Sequence, residues 1–261
     1  MSEATTTPTT NGEAPTPAPP LRKVTLYVVR HGQTHWNVEH RLPGQLPDVR
    51  LTEEGQRQAD RLGEAVREMP LTAVVSSPLE RARETAERVI AGRAIPLHFE
   101  PRLMDTNVGP WAGKLIADLN KDDPTWRAFV QRPTQPPAGV EGFYDVLQRV
   151  VAAAEAARHD ESLGDYVMLV AHADVVKLLL SHYLRLPIEG AGWLQVPNAS
   201  ITALAFEGDR GPSVLALNWL PAPAWLKPMA EPKNESLTSA APEHPNDPAA
   251  FLSVPDQPTP A

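Results

Sequence analysis

Short apolar runs alternating with helical patterns predict an α/β protein: a three-layer α/β/α sandwich with a mainly parallel central sheet and a hairpin at one edge. Three observations lead there. Residues 24–29 (VTLYVV), 73–77 (AVVSS) and 166–171 (YVMLVA) are β-branched, apolar and bounded by polar loops, as buried parallel strands are. Each is followed by apolar residues at helical spacing. Residues 200–219 (SITALAFEGDRGPSVLALNW) read as two strands joined by a Gly-Asp-Arg-Gly turn, which supplies the edge hairpin.

The helices follow in order. Thr52 caps a helix whose Ala59, Leu62, Val66 and Met69 share one face. Ser77-Pro78 reads as a cap and first turn, after which Leu79, Ala82, Ala86 and Val89 continue at helical spacing. A further helix is expected at 141–158, with Phe143, Leu147, Val150 and Ala154 inward, and the apolar VVKLLLSHYL packs on the sheet as the helix after the third strand. The ends differ in kind: residues 1–20 and 221–261 hold about half of the 29 prolines and few apolar clusters. They are expected to be disordered tails flanking one domain at 21–220, with a composition closer to stiffened linkers than to a recognition motif.

Composition excludes several classes of function. There is no cysteine, so neither disulfides nor thiolate catalysis is available. A net charge of −8 argues against nucleic acid and anionic membrane as partners, so any anion must be met by local cations. Without a leader pattern or a run of about 18 apolar residues, the chain reads as soluble and cytoplasmic. The two Asn-x-Ser sequons at Asn198 and Asn234 then read as chance.

The chemistry gathers where strands end. In open α/β sheets, ligands bind beyond the carboxyl ends of the strands. The first strand delivers Arg30 and His31, the second is followed by Arg81, and the third delivers His172. Singly, each has a plain explanation: a solvated loop for Arg30 and His31, a surface helix charge for Arg81, a satisfied core histidine for His172. Their shared topological position suggests a pocket for a phosphoryl group, since arginine forks match phosphate oxygens and a neutral histidine can attack phosphorus. Gly32 is expected to give backbone access there.

These segments resemble the histidine phosphatase superfamily, also called phosphoglycerate mutase-like, from residue 24 to about 208. The resemblance rests on RHGQTHWN (30–37), LTEEGQRQA (51–59), SSPLERARETA (76–86), LMDTNVGPWAGK (103–114) and AHADVV (171–176), in the family's order. It implies a phosphoglycerate mutase-like fold of the phosphatase type. It also implies that His31 is a nucleophile forming a phosphohistidine, that Arg30, Arg81 and His172 clamp the phosphoryl oxygens, that Asn37 hydrogen-bonds the phosphate, and that Asp105 protonates the leaving group. The family usually has glutamate where Asp105 stands, and serine where Gly142 follows Glu141; here Glu141 could simply favour the helix N-terminus.

The resulting expectation is a phosphatase that hydrolyses a small-molecule phosphate ester with no cofactor and no metal, since the eight histidines show no close paired ligand spacing such as His-x-x-x-His on a helix. Segment 107–140 is expected to cover the pocket mouth, with Lys114, Arg127 or Arg132 meeting a second anionic group and Trp111 and Trp126 more in keeping with packing. Phosphoglycerate mutase-type phosphoryl transfer and a non-catalytic phospho-ligand-binding module remain as alternatives. Neither the particular substrate nor the oligomeric state is specified by the sequence.

Overall fold

A computed structural model describes residues 21–221 except Asp209. Apart from Pro221, the two Pro-rich ends lie outside the described residues. Six strands form one mixed sheet: β1 (Lys23–Arg30), β2 (Ala73–Ser76), β3 (Leu97–Phe99), β4 (Tyr166–Ala171), β5 (Ile201–Glu207) and β6 (Ser213–Trp219), in the spatial order β3-β2-β4-β1-β5-β6. The first four in that order run parallel, β5 is antiparallel to β1, and β6 closes the expected hairpin at the edge.

Strand periodicity divides the core between the two faces. Leu26 and Val28 of β1 and Val167 and Leu169 of β4 pack with α6 (Phe143–His159) and α7 (Ala173–Tyr183). Their neighbours Tyr27, Val29, Met168 and Val170 point the other way, against α2 (Glu53–Ala65) and α3 (Glu80–Val89). Side chains alternate with a period of two, so one run of apolar residues serves two helical layers. Ala59, Leu62, Val66 and Ala86 are fully buried, and Met69 packs beyond the end of α2, partly covered.

Thr52 caps α2 as expected, its hydroxyl accepting from Gly55 N at 2.9 Å. The next helix corrects the sequence reading. It begins at Glu80 with Leu79 in the cap position, two residues after the Ser77-Pro78 signal. Ser77 is buried and turned toward His172, so it makes only a long contact, 3.4 Å, with Leu79 N. In α6, Val146, Ala153 and Ala157 are buried as well as Phe143, Val150 and Ala154, while Leu147 is half-buried. Edge strand β3 has three residues and little burial, too short for a period to register. The long connection after β1 carries α1 (His35–Val38), and the one after β3 carries α4 (Ile116–Asp122) and α5 (Pro124–Gln131). No helix among the described residues is long and apolar enough to cross a membrane.

Candidate active site

Sheet register brings the three strand ends together. Arg30 pairs with Ala171 across β1 and β4, and Ser76 with Val170 across β2 and β4, so His31, His172 and Ser77 emerge side by side. The His31 and His172 rings have centroids 5.3 Å apart, and both residues are buried. Arg81, on the first turn of α3, has no exposed surface at all. Asp105 lies within reach of both: its Oδ2 is 3.0 Å from Arg81 Nη2 and 3.7 Å from His172 Nδ1.

The electrostatics follow from burial. His31 Nδ1 lies 2.7 Å from the Gly32 carbonyl, which can only accept. That nitrogen therefore carries the hydrogen, leaving Nε2 with a free lone pair. Burial first, then Arg81 and Arg30, holds the His31 pKa well below its ordinary value, so the ring is neutral at physiological pH. His172 is depressed by burial, Arg81 and His31 in the same sense, while the Ser77 hydroxyl lies 2.8 Å from its Nε2. Asp105 moves the other way: burial raises its pKa, Arg81 opposes, and Asp174 adds to the rise. Asp174 reaches it indirectly, accepting from the Thr106 hydroxyl at 3.2 Å.

Several buried nitrogens have no partner: Arg30 Nε, Arg81 Nε and Nη1, and His172 Nδ1. Buried polar groups are normally satisfied, and four at one place call for an anion. The remaining donors of these arginines anchor them, with Arg30 Nη1 bonding Val196 O at 2.6 Å and Arg81 Nη2 bonding Gly44 O at 2.8 Å. A cavity of about 470 Å³ opens here, lined by Arg30, His31, Asn37, Asp105, Asp174 and Asn198 among others. Asn37 has its carbonyl oxygen occupied by Thr34 N and Asn198 Nδ2, which leaves its NH₂ as a donor.

All six expected site residues, Arg30, His31, Asn37, Arg81, Asp105 and His172, thus meet at one place. Three expectations are corrected. Gly32 does not open the backbone to a ligand; an added Cβ would sit 2.4 Å from Gly55 O, so the glycine permits close packing on α2. Lys114, Arg127 and Arg132 do not line the cavity; its mouth is built mainly from residues 36–44, with Arg41 as a cation there, and segment 107–140 contributes only Val108 and Ile116. Glu141 does more than sit at a helix start: it holds Arg149 bidentately and accepts from Asn107 N at 3.0 Å. Trp111 and Trp126 are buried in an aromatic cluster with Phe129.

Sequence reasoning missed Ser77, Asp174, Asn198 and Arg149. Ser77 looked like a cap, and the Asn198 sequon looked like chance although its amide donates to His31 O at 3.1 Å. For Arg149, eight residues after Glu141 on a helix with an apolar face, two turns of spacing were the available signal. Among the described residues, no group of three or more His, Asp or Glu side chains could hold a metal ion.

The model of the histidine phosphatase superfamily, branch 1, matches residues 26–220. The chain belongs to the histidine phosphatase superfamily. Its relatives are named for two activities. The "Probable phosphoglycerate mutase GpmB" of Shigella boydii is 34% identical over 185 residues, covering 70% of this chain and 85% of that protein. Among solved structures, Bacillus stearothermophilus YhfR shares 35% identity at a TM-score of 0.68, covering 75% of this chain and 96% of its own. A mycobacterial glucosyl-3-phosphoglycerate phosphatase, solved as a complex with VO3, shares 31% identity at a TM-score of 0.66, covering 76% of this chain and 98% of its own. This superfamily member therefore sits among relatives named as phosphatases and as a probable mutase.

Proposed function

We propose that the protein is a phosphomonoesterase that hydrolyses a small phosphorylated metabolite through a phosphohistidine on His31. The observation that carries this reading is the buried, neutral His31 ring with Nδ1 committed to Gly32 O, facing the unpartnered donors of Arg30, Arg81 and His172. The phosphoryl group of the ester takes those donors and the Asn37 amide. His31 Nε2 attacks phosphorus, the P–N bond forms, and the P–O bond to the leaving group breaks. Asp105, whose pKa is raised by burial and by Asp174 against the pull of Arg81, delivers its proton to the departing oxygen. The resulting carboxylate then takes a proton from water, whose oxygen attacks phosphorus and frees His31. No step calls for a metal or another cofactor.

A mutase reading is favoured by one observation, the likeness to the relative named as a probable phosphoglycerate mutase. Phosphate release separates the two. The full chain is assayed against phosphorylated metabolites, a glucosyl phosphoglycerate and 3-phosphoglycerate among them, with chelator present and no added metal. We expect release that His31→Ala abolishes. Isomerisation without release would establish the mutase, and tight phosphate binding with neither activity would establish a binding module.

A further inference from the structure

Arg149 does not line the cavity, yet all five of its N–H donors are spent on one loop and its anchor. Nε donates to Glu141 Oε1 at 2.6 Å; Nη1 donates to Arg102 O at 2.7 Å and Met104 O at 2.6 Å; Nη2 donates to Asp105 O at 3.0 Å and Glu141 Oε2 at 2.9 Å. A guanidinium has five such donors in a fixed planar fork, so the count is complete. The three carbonyls belong to the segment that turns away from β3 and carries Asp105 into the site, where no ladder is present to receive them. Glu141 closes the grip on the far side of Asp105, its Oε2 accepting from Asn107 N and its own backbone N–H donating to Asn107 O at 2.8 Å.

We propose that Arg149, clamped by Glu141, is the positioning residue that sets where the Asp105 carboxyl stands relative to the leaving oxygen. This rests on the phosphatase reading above. Asp105 has a short side chain with two rotatable bonds, so a shift of its backbone passes almost undiminished to the carboxyl. Gln45 Nε2 supports the same carbonyl at 2.8 Å, but only Arg149 ties residues 102, 104 and 105 to one rigid group on α6. A displacement of about 1 Å at a reacting group can cost on the order of a hundredfold in rate.

The test uses the need for a proton as its readout. An alkyl phosphate requires a protonated leaving group, whereas dinitrophenolate departs without one. First-turnover release of each leaving group is measured for the wild-type chain, Asp105→Asn, Arg149→Lys and Glu141→Gln. Lysine keeps the charge of Arg149 and loses the fork. Arg149→Lys is expected to lower release from the alkyl ester by on the order of a hundredfold while sparing the dinitrophenyl ester, the same pattern as Asp105→Asn. Thermal stabilisation by orthovanadate, which needs the arginines and histidines but not the acid, should persist in both variants.

Equal loss on both esters with the vanadate effect intact, or no loss on either, overturns the proposal. Should Arg149→Lys not fold, Glu141→Gln decides, with the same selective pattern expected from loosening the clamp. Full alkyl-ester activity in Asp105→Asn would remove the acid that Arg149 is said to place. Failure of the phosphatase reading has different signatures, no phosphate release by the wild-type chain or release that survives His31→Ala, and either would take the Arg149 role with it.

Discussion

His31 and Asp105 are neighbours whose environments push their protonation in opposite useful directions. In the proposed mechanism His31 works as a neutral ring, and burial together with Arg81 and Arg30 depresses its pKa, so the acid limb of kcat/KM is expected well below the ordinary histidine value of 6.5. The same mechanism uses Asp105 as the neutral acid, and its pKa is raised by burial against the pull of Arg81, with Asp174 adding to the rise. Activity therefore falls as pH rises through the Asp105 pKa, above the ordinary aspartate value. Asp174→Asn removes a negative charge that favours the protonated acid. The basic limb of its pH profile is expected to move to lower pH while the acid limb moves little. A basic limb that stays in place would show that Asp174 does not act on Asp105.

At the scale of elements, the loop that carries His31 is held by backbone packed on backbone. The N-terminus of α2 presses on the turn after β1 so closely that a Cβ on Gly55 would lie 2.0 Å from Gln33 O. Thr52 couples the two, its backbone N–H donating to Gln33 O at 2.9 Å and its side chain capping Gly55 N. From the other side, Thr85 of α3 accepts from Gly32 N at 3.0 Å. His31 is thus placed by two helices as well as its own strand. Gly55→Ala is expected to destabilise the fold by about 1–3 kcal/mol, the usual range for overpacking, and to lower turnover as the loop shifts. Urea unfolding read beside phosphate release checks this, and wild-type stability would mean the loop relaxes freely.

For the whole molecule, burying two neutral histidines makes stability depend on pH. His31 and His172 have folded pKa values well below 6.5, while in the unfolded chain both titrate near that value. The unfolded state therefore binds more protons in acid. The stability these two sites confer is present above about pH 6.5 and is lost as pH falls toward their folded values, by at most about 1.4 kcal/mol per pH unit for each. The midpoint of thermal unfolding should drop below about pH 6.5, and more gently in His172→Gln, which titrates one site fewer. Parallel slopes for the two proteins would show that His172 is not held neutral by the fold.

What the sequence determined by itself was the layered sheet and the six residues that meet at its strand ends. Period-two and helical patterns are local, and Arg30, His31 and His172 sit at the ends of strands those patterns marked, while Asn37 and Asp105 were legible through the family's motifs; the order of the strands in the sheet came from the structure. Thr52 was legible for the same reason, since a cap acts on its own helix. Tertiary structure alone decided the contacts made across the chain. Arg149 reads as one more charge on a helix until its fork is seen holding residues 102–105, 44 or more residues away. Gly32 reads as a point of backbone access until Gly55 is found against it, and Ser77 reads as a cap until His172, 95 residues on, claims its hydroxyl. The cations expected over the mouth were placed by sequence neighbourhood, whereas residues 36–44 build that wall because the loop after β1 folds back over the site. Periodicity reports which way a residue faces, and only packing reports what it meets.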